Sequence, residues 1–225
     1  MATTFDYFIQ LPLLELTAML MALLYVVLAA KGSLWCWPAA FVSTLLYTTI
    51  FYDVYLWMDS LLQVYYMMMA VYGWYCWQQT ATSNGQITTV VNTLVDDKSA
   101  ITQSSPLKIT RWSAQTHLLI IVISSLASAL VGWLMANFTP AHFPYYDAAT
   151  TVFAIVATYM VTKKVLENWL YWCVIDIASI YLYLEKGLTP TAVLFGLYVI
   201  LATYGYYHWR KTYRGEQLML AATTH

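Results

Sequence analysis

The chain has 225 residues, of which 61% are apolar and 9% are charged, and its formal net charge is −1. This balance is far from the composition of a soluble domain and predicts a chain that crosses a membrane several times. The near-zero net charge argues against a nucleic-acid partner.

Seven uncharged or nearly uncharged segments of bilayer-spanning length can be read along the chain. Their apolar runs are continuous rather than alternating, which predicts helices. The fold class is therefore expected to be an all-α integral membrane protein. In chain order, the predicted helices cover roughly residues 11–30, 35–51, 56–77, 113–137, 146–162, 166–184 and 189–209. No cleavable signal peptide is expected, because residues 1–10 contain no Lys or Arg.

The last three predicted helices repeat the first three at one constant distance along the chain, the distance from residue 12 to residue 144. We call this distance the repeat offset. It aligns residues 12–77 with residues 144–209, and the two ranges share 14 identities without a gap. The identical positions include residues that rarely coincide by chance, such as Pro12 with Pro144, Trp37 with Trp169 and Gly73 with Gly205. Internal repeats in a membrane chain are typical of transporters whose substrate site lies between the repeats.

The basic residues are distributed unevenly between the two ends of the predicted helices. Of the 10 Lys and Arg residues, only Lys186 falls on one face of the seven-helix arrangement, and all the others fall on the opposite face. Cytoplasmic connections carry the excess of Lys and Arg in membrane proteins. The charges therefore predict a cytoplasmic C-terminus and an N-terminus outside.

The polar segment 78–112 is the one long connection and is predicted to be a solvated cytoplasmic linker. The fourth helix returns the chain to the outside, so both triplets of helices start on the same side and run parallel. This predicts a 3+1+3 arrangement about an axis along the membrane normal. The predicted parts are a first repeat (1–77), the linker (78–112), a connecting helix (113–137), a second repeat (138–211) and a cytoplasmic tail (212–225).

Asp176 lies near the middle of the sixth predicted helix, where a carboxylate costs several kcal/mol unless it is paired or faces water. A helical wheel separates a polar and aromatic face around Asp176 from an apolar face. The first face carries Trp169, Trp172, Ser179 and Tyr183, and the second carries Leu170, Ile175, Ile177 and Ala178. The alternative is that Asp176 only forms a hydrogen bond to a neighbouring helix.

Two other predicted helices offer polar and aromatic side chains. The third helix has Gln63 and Tyr66 in register, and the second has Thr44 and Tyr47. Threonine hydroxyls in helices bond their own backbone as readily as a ligand. Rings beside a buried carboxylate suit a flat cation, although aromatic side chains can also simply fill a helical bundle.

Several tryptophans lie at predicted helix ends, and Trp35, Trp77 and Trp209 are expected to be anchors at the membrane–water interface. The three cysteines have no metal-ligand spacing, so they are interpreted as small apolar residues, and no metal or cofactor is expected.

Three mechanisms lack their sequence signatures. The chain has no Walker motif for nucleotide hydrolysis, no series of buried Asp, Glu and His for proton coupling, and no lysine in the middle of the seventh helix for retinal. Passive transport by alternating access is the remaining interpretation.

The sequence resembles the PnuC family of vitamin transporters over almost all of the predicted membrane region, but not over the linker. The resemblance rests on the sixth-helix run 167–176, the following stretch 183–195, and residues 61–65 leading to 72–74. It implies a 3+1+3 helix order, similar in outline to the SWEET sugar facilitators. It also implies uniport in the bacterial inner membrane, usually of nicotinamide riboside, with phosphorylation trapping the substrate inside. The candidate substrate residues are then Asp176, Trp169, Trp172, Asn168, Gln63, Tyr66, Thr44, Tyr47, Ser179 and Tyr183.

The resemblance leaves the substrate open, because family members also carry thiamin or riboflavin. Nicotinamide riboside and thiamin are both flat aromatic cations, whereas riboflavin is neutral and larger, so Asp176 mildly disfavours riboflavin. Many nicotinamide riboside carriers are expected to have an Asn in the second helix, where this chain has Ser43 and Thr44. The expected partners are the vitamin and the lipid bilayer, with a homo-oligomer such as a trimer left open.

Two other functional classes compete with transport. An intramembrane enzyme could use Asp176 or Glu167 as a general acid or base, but no second catalytic residue or metal cluster lies at motif spacing. A scaffold or sensory subunit would not need a polar and aromatic face near the membrane centre.

Overall fold

The computed structural model describes residues 13–53, 57–94, 108–140, 143–185 and 189–223, and these residues form seven α-helices. The expectations for residues 1–10 and for residues 95–107 of the linker lie outside the described residues. The helices are α1 (Leu13–Ala30), α2 (Cys36–Asp53), α3 (Trp57–Leu94), α4 (Ala114–Phe138), α5 (Pro144–Thr162), α6 (Asn168–Glu185) and α7 (Thr189–Thr223).

The all-helical prediction is confirmed, and most helix ends lie within about two residues of the predicted ones. The exceptions are the C-terminal ends of α3 and α7, which the apolar pattern predicts at residues 77 and 209 but which lie at Leu94 and Thr223. Neither extension contains a proline that would interrupt backbone hydrogen bonding. The apolar pattern ends where a helix becomes polar, which need not be where the helix itself ends.

Local capping sets the start of α4 and α5. The Ser113 hydroxyl accepts a hydrogen bond from the Thr116 backbone N–H at 3.2 Å, as an N-cap residue does. Pro144 lies in the first turn of α5, where its fixed φ suits a helix and its missing N–H has no intrahelical partner to lose.

Helix contacts close a ring of six helices. Along the ring α1 packs on α2, α2 on α3, α3 on α5, α5 on α6, α6 on α7, and α7 on α1. α4 packs on α5 and lies outside this ring. Under the repeat offset, the contact of α1 with α7 corresponds to the contact of α5 with α3.

α4 approaches α5 through small side chains. The buried residues of α4 are Ser124, Ser128 and Gly132, which recur every four residues on one face. A Cβ on Gly132 would lie 2.5 Å from the Tyr145 ring of α5. Small residues at this spacing let helix backbones approach closely in membrane proteins.

The outer surface of the bundle is apolar. α4 exposes a continuous set of large side chains that includes Leu118, Ile123, Leu126, Leu130 and Phe138. Among the described helices, α1 and α4 are long and apolar enough to cross a membrane by length and composition. The other helices carry more tyrosine, threonine and charged residues, which lowers their hydropathy.

Two tryptophans pack on two glycines at equivalent positions. Trp37 of α2 lies over Gly73 of α3, where an added Cβ would come within 2.3 Å of the ring. Trp169 of α6 lies over Gly205 of α7, where an added Cβ would come within 2.7 Å. The repeat offset relates both members of each pair, so the repeat seen in the sequence is also a repeat of packing.

Trp77 and Trp209 are buried rather than interfacial, so the prediction that they anchor the chain at the membrane surface is wrong. Each is only 1% exposed. The Trp77 Nε1 donates to the Thr162 carbonyl at 3.2 Å, and the Trp209 Nε1 donates to the Ala29 carbonyl at 3.1 Å. Each indole N–H therefore bonds the end of a helix in the opposite triplet. Trp35 is 68% exposed, as an interfacial anchor would be.

These four tryptophans form one contiguous set, which we call the indole cluster (Trp37, Trp77, Trp169 and Trp209). Trp37 meets Trp77 edge-on at a centroid distance of 5.2 Å, and Trp169 meets Trp209 edge-on at 5.4 Å. Trp77 and Trp209 lie 6.2 Å apart and join the two pairs. Edge-to-face pairs at these distances are favourable beyond their area burial.

The end of the predicted linker is bound to the bundle. Thr110 pairs with the α5–α6 connection, with its N–H donating to the Lys164 carbonyl and its carbonyl accepting from the Leu166 N–H, each at 2.9 Å. Ile109 beside it is buried in the same core as the indole cluster. The expectation of a wholly solvated linker is therefore wrong for this end, because its apolar residue and backbone groups find partners in the bundle.

Candidate functional site

Asp176 is buried in the interior of the helical ring. Its side chain lies on α6 and the residue is only 4% exposed. Among the described residues, no Lys, Arg or His nitrogen lies within 4.0 Å of its carboxylate. Burying a carboxylate without a basic partner is costly in free energy, so we expect a cation or water to bind at this position.

The apolar face predicted for α6 is found at Leu170 and Ile177, which are exposed on the outer surface. The helical wheel places Ile175 on that face too, but Ile175 is buried against Ala154 and Ala157 of α5. The error arises because α6 contacts α5 on one side, so part of its apolar surface packs on protein rather than on lipid.

Aromatic side chains of four helices lie near Asp176 or in the cluster that contains its neighbour Ile175. The Tyr198 hydroxyl of α7 lies within electrostatic reach of both Asp176 and the Tyr47 hydroxyl of α2. On the neighbouring side, Tyr66 of α3 and Trp172 of α6 pack against one small apolar cluster. The structure thus places Trp172 and Tyr66 in the cluster that contains Ile175, the residue before Asp176, and links Tyr47 to Asp176 only through Tyr198.

Tyr198 is missed by the sequence analysis, which assigns no site residue to the seventh helix. The repeat offset maps Tyr66 onto Tyr198, so the repeat itself carries the signal. The two tyrosines therefore occupy equivalent positions on α3 and α7.

The hydroxyls of Thr44 and Ser179 are bound to their own helices. Thr44 Oγ1 lies 2.9 Å from the Ala40 carbonyl, and Ser179 Oγ lies 2.9 Å from the Ile175 carbonyl. Each hydroxyl donates its proton in this bond and keeps its lone pairs. Toward a ligand they can act as acceptors only.

Tyr183 lies further along α6 from Asp176, and Gln63 lies on α3. Gln63 is half-buried on α3, one turn before Tyr66. Tyr183 is nearly two turns beyond Asp176 and stacks on Phe195 of α7 at 5.2 Å. Phe195 is the equivalent of Gln63 under the repeat offset, so one repeat offers an amide where the other offers a ring.

Asn168 and Trp169 lie about two turns before Asp176, at the start of α6 and beside the indole cluster. The Asn168 Nδ2 donates to the Val165 carbonyl at 2.6 Å, a bond that fixes the α5–α6 connection. Its Oδ1 and the Trp169 Nε1 are buried and have no partner among the described residues. The Trp37 Nε1, at the equivalent position, is likewise unpartnered there. Buried donors and acceptors without partners are costly and are candidates for contacts with a ligand or water.

Glu167 does not form a catalytic pair with Asp176. Its carboxylate lies 2.7 Å from the Arg111 Nε and 3.7 Å from the His117 Nε2. The hydrogen bond and the charge of Glu167 raise the pKa of the Arg111 guanidinium. Asp176 comes nine positions after Glu167, which is about 13 Å along a helix. Glu167 therefore ties the start of α4 to the start of α6.

The chain is similar to one known family and to several known transporters. A model of the family described as "Nicotinamide mononucleotide transporter" matches residues 12–211. The nicotinamide riboside transporter PnuC of Escherichia coli strain K12 is 23% identical over 181 residues, which cover 77% of this chain and 74% of the relative. The riboflavin/roseoflavin transporter RibM of Streptomyces davaonensis is 24% identical over 196 residues, covering 87% of this chain and 83% of the relative.

The fold also matches a solved structure. The crystal structure of the vitamin B3 transporter PnuC superimposes with a TM-score of 0.69 at 21% identity, covering 94% of this chain and 87% of the other. At this level of identity the superposition shows a shared fold.

Proposed function

The chain belongs to the nicotinamide mononucleotide transporter (PnuC) family, and from that premise we propose that it carries a cationic aromatic vitamin across the bacterial inner membrane by facilitated diffusion. The family's transporters are membrane proteins, and the relatives and the structural neighbour are transporters, not enzymes. The enzyme alternative is therefore set aside.

The observation that carries the proposal is the buried Asp176 carboxylate, which has the Tyr198 hydroxyl within electrostatic reach and no basic partner among the described residues. A pyridinium or thiazolium ring could place its charge near the carboxylate and its faces against Tyr66, Trp172 and Tyr198. Cation–π attraction to a desolvated ring contributes about 2 kcal/mol, in addition to the charge pairing.

Nicotinamide riboside is the substrate proposed first, and thiamin is the alternative within the same site. Both are flat cations with a hydroxyl-bearing arm, and Asp176 can serve as the counter-charge for either. The RibM relative is a riboflavin transporter, so riboflavin belongs in any test. A neutral flavin would leave Asp176 without a counter-charge, so riboflavin is the third candidate substrate.

We propose that the helices are arranged as 3+1+3, with parallel triplets at 1–77 and 138–211 and a connecting helix at 113–137. Three observations support this: the closed ring of six helices, the position of α4 outside it, and the paired tryptophan–glycine contacts. The cytoplasmic linker at 78–112 and the tail at 212–225 complete the division. A homo-oligomer such as a trimer remains an expectation.

We propose uniport by alternating access between the two triplets. The described interior of the ring holds Asp176 but no chain of Asp, Glu and His that crosses it, so the described side chains offer no route for a coupled proton. Trapping inside the cell would then depend on phosphorylation of the substrate by another protein.

Purified protein in liposomes is expected to bring labelled nicotinamide riboside to equal concentrations inside and outside, and no further. Thiamin and riboflavin are measured in parallel, with protein-free vesicles as the control. Sodium and proton gradients should leave the final level unchanged, because nothing couples them to the substrate. Accumulation above the outside concentration under either gradient would refute uniport, and no uptake of any of the three vitamins would refute the proposed function.

The nine-to-one distribution of Lys and Arg supports a cytoplasmic C-terminus and an N-terminus outside. Cysteines introduced at two exposed polar positions test this orientation, Thr139 at the end of α4 and Gln217 near the end of α7. With the natural cysteines replaced, a membrane-impermeant maleimide should label Thr139→Cys in intact cells. It should label Gln217→Cys only after lysis, and the reverse pattern would invert the topology.

A further inference from the structure

Lys164 adopts a backbone conformation that lysine rarely takes. Its φ is 52°, in the left-handed region, within the connection between α5 and α6. The equivalent residue in the first triplet, under the repeat offset, is Gly32 with φ 69°. Glycine takes this conformation without strain, whereas a residue with a Cβ does not. The second triplet thus holds a strained lysine where the first has a glycine.

The Lys164 side chain is buried on the indole cluster. The residue is 5% exposed, and its Nζ lies 3.8 Å from the centroid of the Trp77 ring. Trp77 in turn bonds the Thr162 carbonyl, two residues before Lys164. The ammonium therefore covers the point where α3 is joined to the end of α5.

The charges around Lys164 do not form an ion pair with it. Among the described residues, no carboxylate lies within 4.0 Å of its Nζ. The titratable groups that interact electrostatically with Lys164 are the Cys36 thiol of α2 and the Glu216 carboxylate of α7. Glu216 also interacts electrostatically with Lys108, which lies in the segment before α4. Burial lowers the pKa of the Lys164 ammonium to about 7, and burial raises the pKa of Glu216.

The indole cluster lies at the end of the ring where both triplets meet through the bonds of Trp77 and Trp209. In the proposed topology this is the cytoplasmic end, since the α5–α6 connection is basic. In that topology the indole cluster lies between Asp176 and the cytoplasm, so release of a substrate to the cytoplasm would require these tryptophans to separate.

We propose that Lys164 is a positioning residue for transport: its strained, unpaired, buried charge destabilises the closed indole cluster and so allows the cytoplasmic end to open. This inference rests on the proposed function. The Trp77–Trp209 ring contact and the two indole hydrogen bonds would otherwise hold the two triplets together tightly. When the cluster opens, the ammonium loses its cation–π contact with Trp77, but it reaches water, and relief of the desolvation of its charge outweighs that contact.

The sign of the pH dependence follows from the two states. In the open state Lys164 is solvated and keeps its ordinary pKa of about 10.4, so it is protonated at neutral pH. In the closed state its pKa is lowered to about 7. Between those values the open state binds one more proton, so raising the pH favours the closed state by up to about tenfold per unit. Below about pH 7 both states bind the proton, so the balance between open and closed states no longer depends on pH.

The test measures exchange of labelled nicotinamide riboside across proteoliposomes that have the same pH on both sides. Wild-type exchange is expected to fall at least about threefold between about pH 7 and pH 8.5. Lys164→Met removes the charge at similar length, and Lys164→Gly also removes the backbone strain. Both variants should exchange slowly at neutral pH and vary less than about twofold over this range.

Lys163→Met is the matched control, because it removes a charge one residue away. Lys163 is not buried, and its Nζ donates to the Tyr72 hydroxyl at 2.6 Å. This variant should keep the wild-type pH profile. If both Lys164 variants keep the wild-type slope, or if Lys163→Met loses it, the inference is overturned.

A second measurement separates this inference from the proposed function, since it needs no substrate. Ala70 is buried in the core that contains the indole cluster, so Ala70→Cys should react with a thiol reagent only when that core opens. With the natural cysteines replaced, its labelling at neutral pH should be at least about threefold slower in Lys164→Met than with Lys164 present. Equal rates would overturn the role of Lys164 even in a protein that carries none of the vitamins. Absent uptake with slowed labelling would overturn only the proposed function.

Discussion

Asp176→Asn is expected to leave the fold intact and to weaken binding of nicotinamide riboside by about tenfold to a hundredfold. A hydrogen bond or contact to a charged partner contributes roughly 1.5–3 kcal/mol, which corresponds to that range of affinity. Asparagine has nearly the same shape as aspartate, so the rings around it should keep their positions. The change therefore removes the counter-charge and little else.

Binding can be followed in detergent through the intrinsic fluorescence of the tryptophans, with the melting temperature measured on the same preparation. Thiamin should lose affinity to a similar degree, because it is also a cation. Riboflavin should lose little, since it carries no positive charge. Asp53→Asn is the matched control, because Asp53 is an exposed carboxylate at the end of α2. It should bind both cations as the wild type does.

A structural role for Asp176 would give a different result. If its carboxylate only holds a neighbouring helix, the Asn variant should melt early while its folded fraction binds normally. A stable variant with unchanged affinity for both cations would remove Asp176 from the site, and the argument for a cationic substrate would fail with it.

The helices can be predicted from the sequence because lipid-facing and core-facing residues are both apolar, so each span is a long apolar run. The same property hides what a residue contacts. The sequence assigns Trp77 and Trp209 to the membrane surface because they lie at the ends of apolar runs, yet each bonds a helix of the other triplet. No local pattern distinguishes a tryptophan that faces lipid from one that faces a second repeat.

The candidate site is predictable in part. Asp176 stands out in sequence because a carboxylate within a span is rare, and its burial is found. Tyr198 has no such local signal, because tyrosine is frequent throughout the chain and only the repeat links it to Tyr66. Lys164 can be counted as one of the basic residues, but its burial depends on a turn whose φ is set by the fold.

Gly73→Ala is expected to destabilise the protein by about 1–3 kcal/mol or more, because the added methyl group has no room. Its Cβ would lie 2.3 Å from the Trp37 ring, which is itself held by Trp77 and Tyr25. Gly205→Ala should be destabilising for the same reason but less so, since its Cβ would lie 2.7 Å from the Trp169 ring. Neither indole can move away without opening the core between the triplets.

Gly196→Ala is the matched control for this pair. Gly196 is also a glycine within a helix, but a Cβ there would meet nothing within 4 Å. Alanine is favoured over glycine in a helix by about 0.5–1 kcal/mol, so this variant should melt at or above the wild-type temperature. The melting temperatures of the three variants in one detergent then show whether the steric cost of the added Cβ exceeds the gain in helix propensity. If Gly73→Ala and Gly205→Ala melted at the same temperature as Gly196→Ala, neither tryptophan–glycine contact would stabilise the packing of α2 on α3 or of α6 on α7.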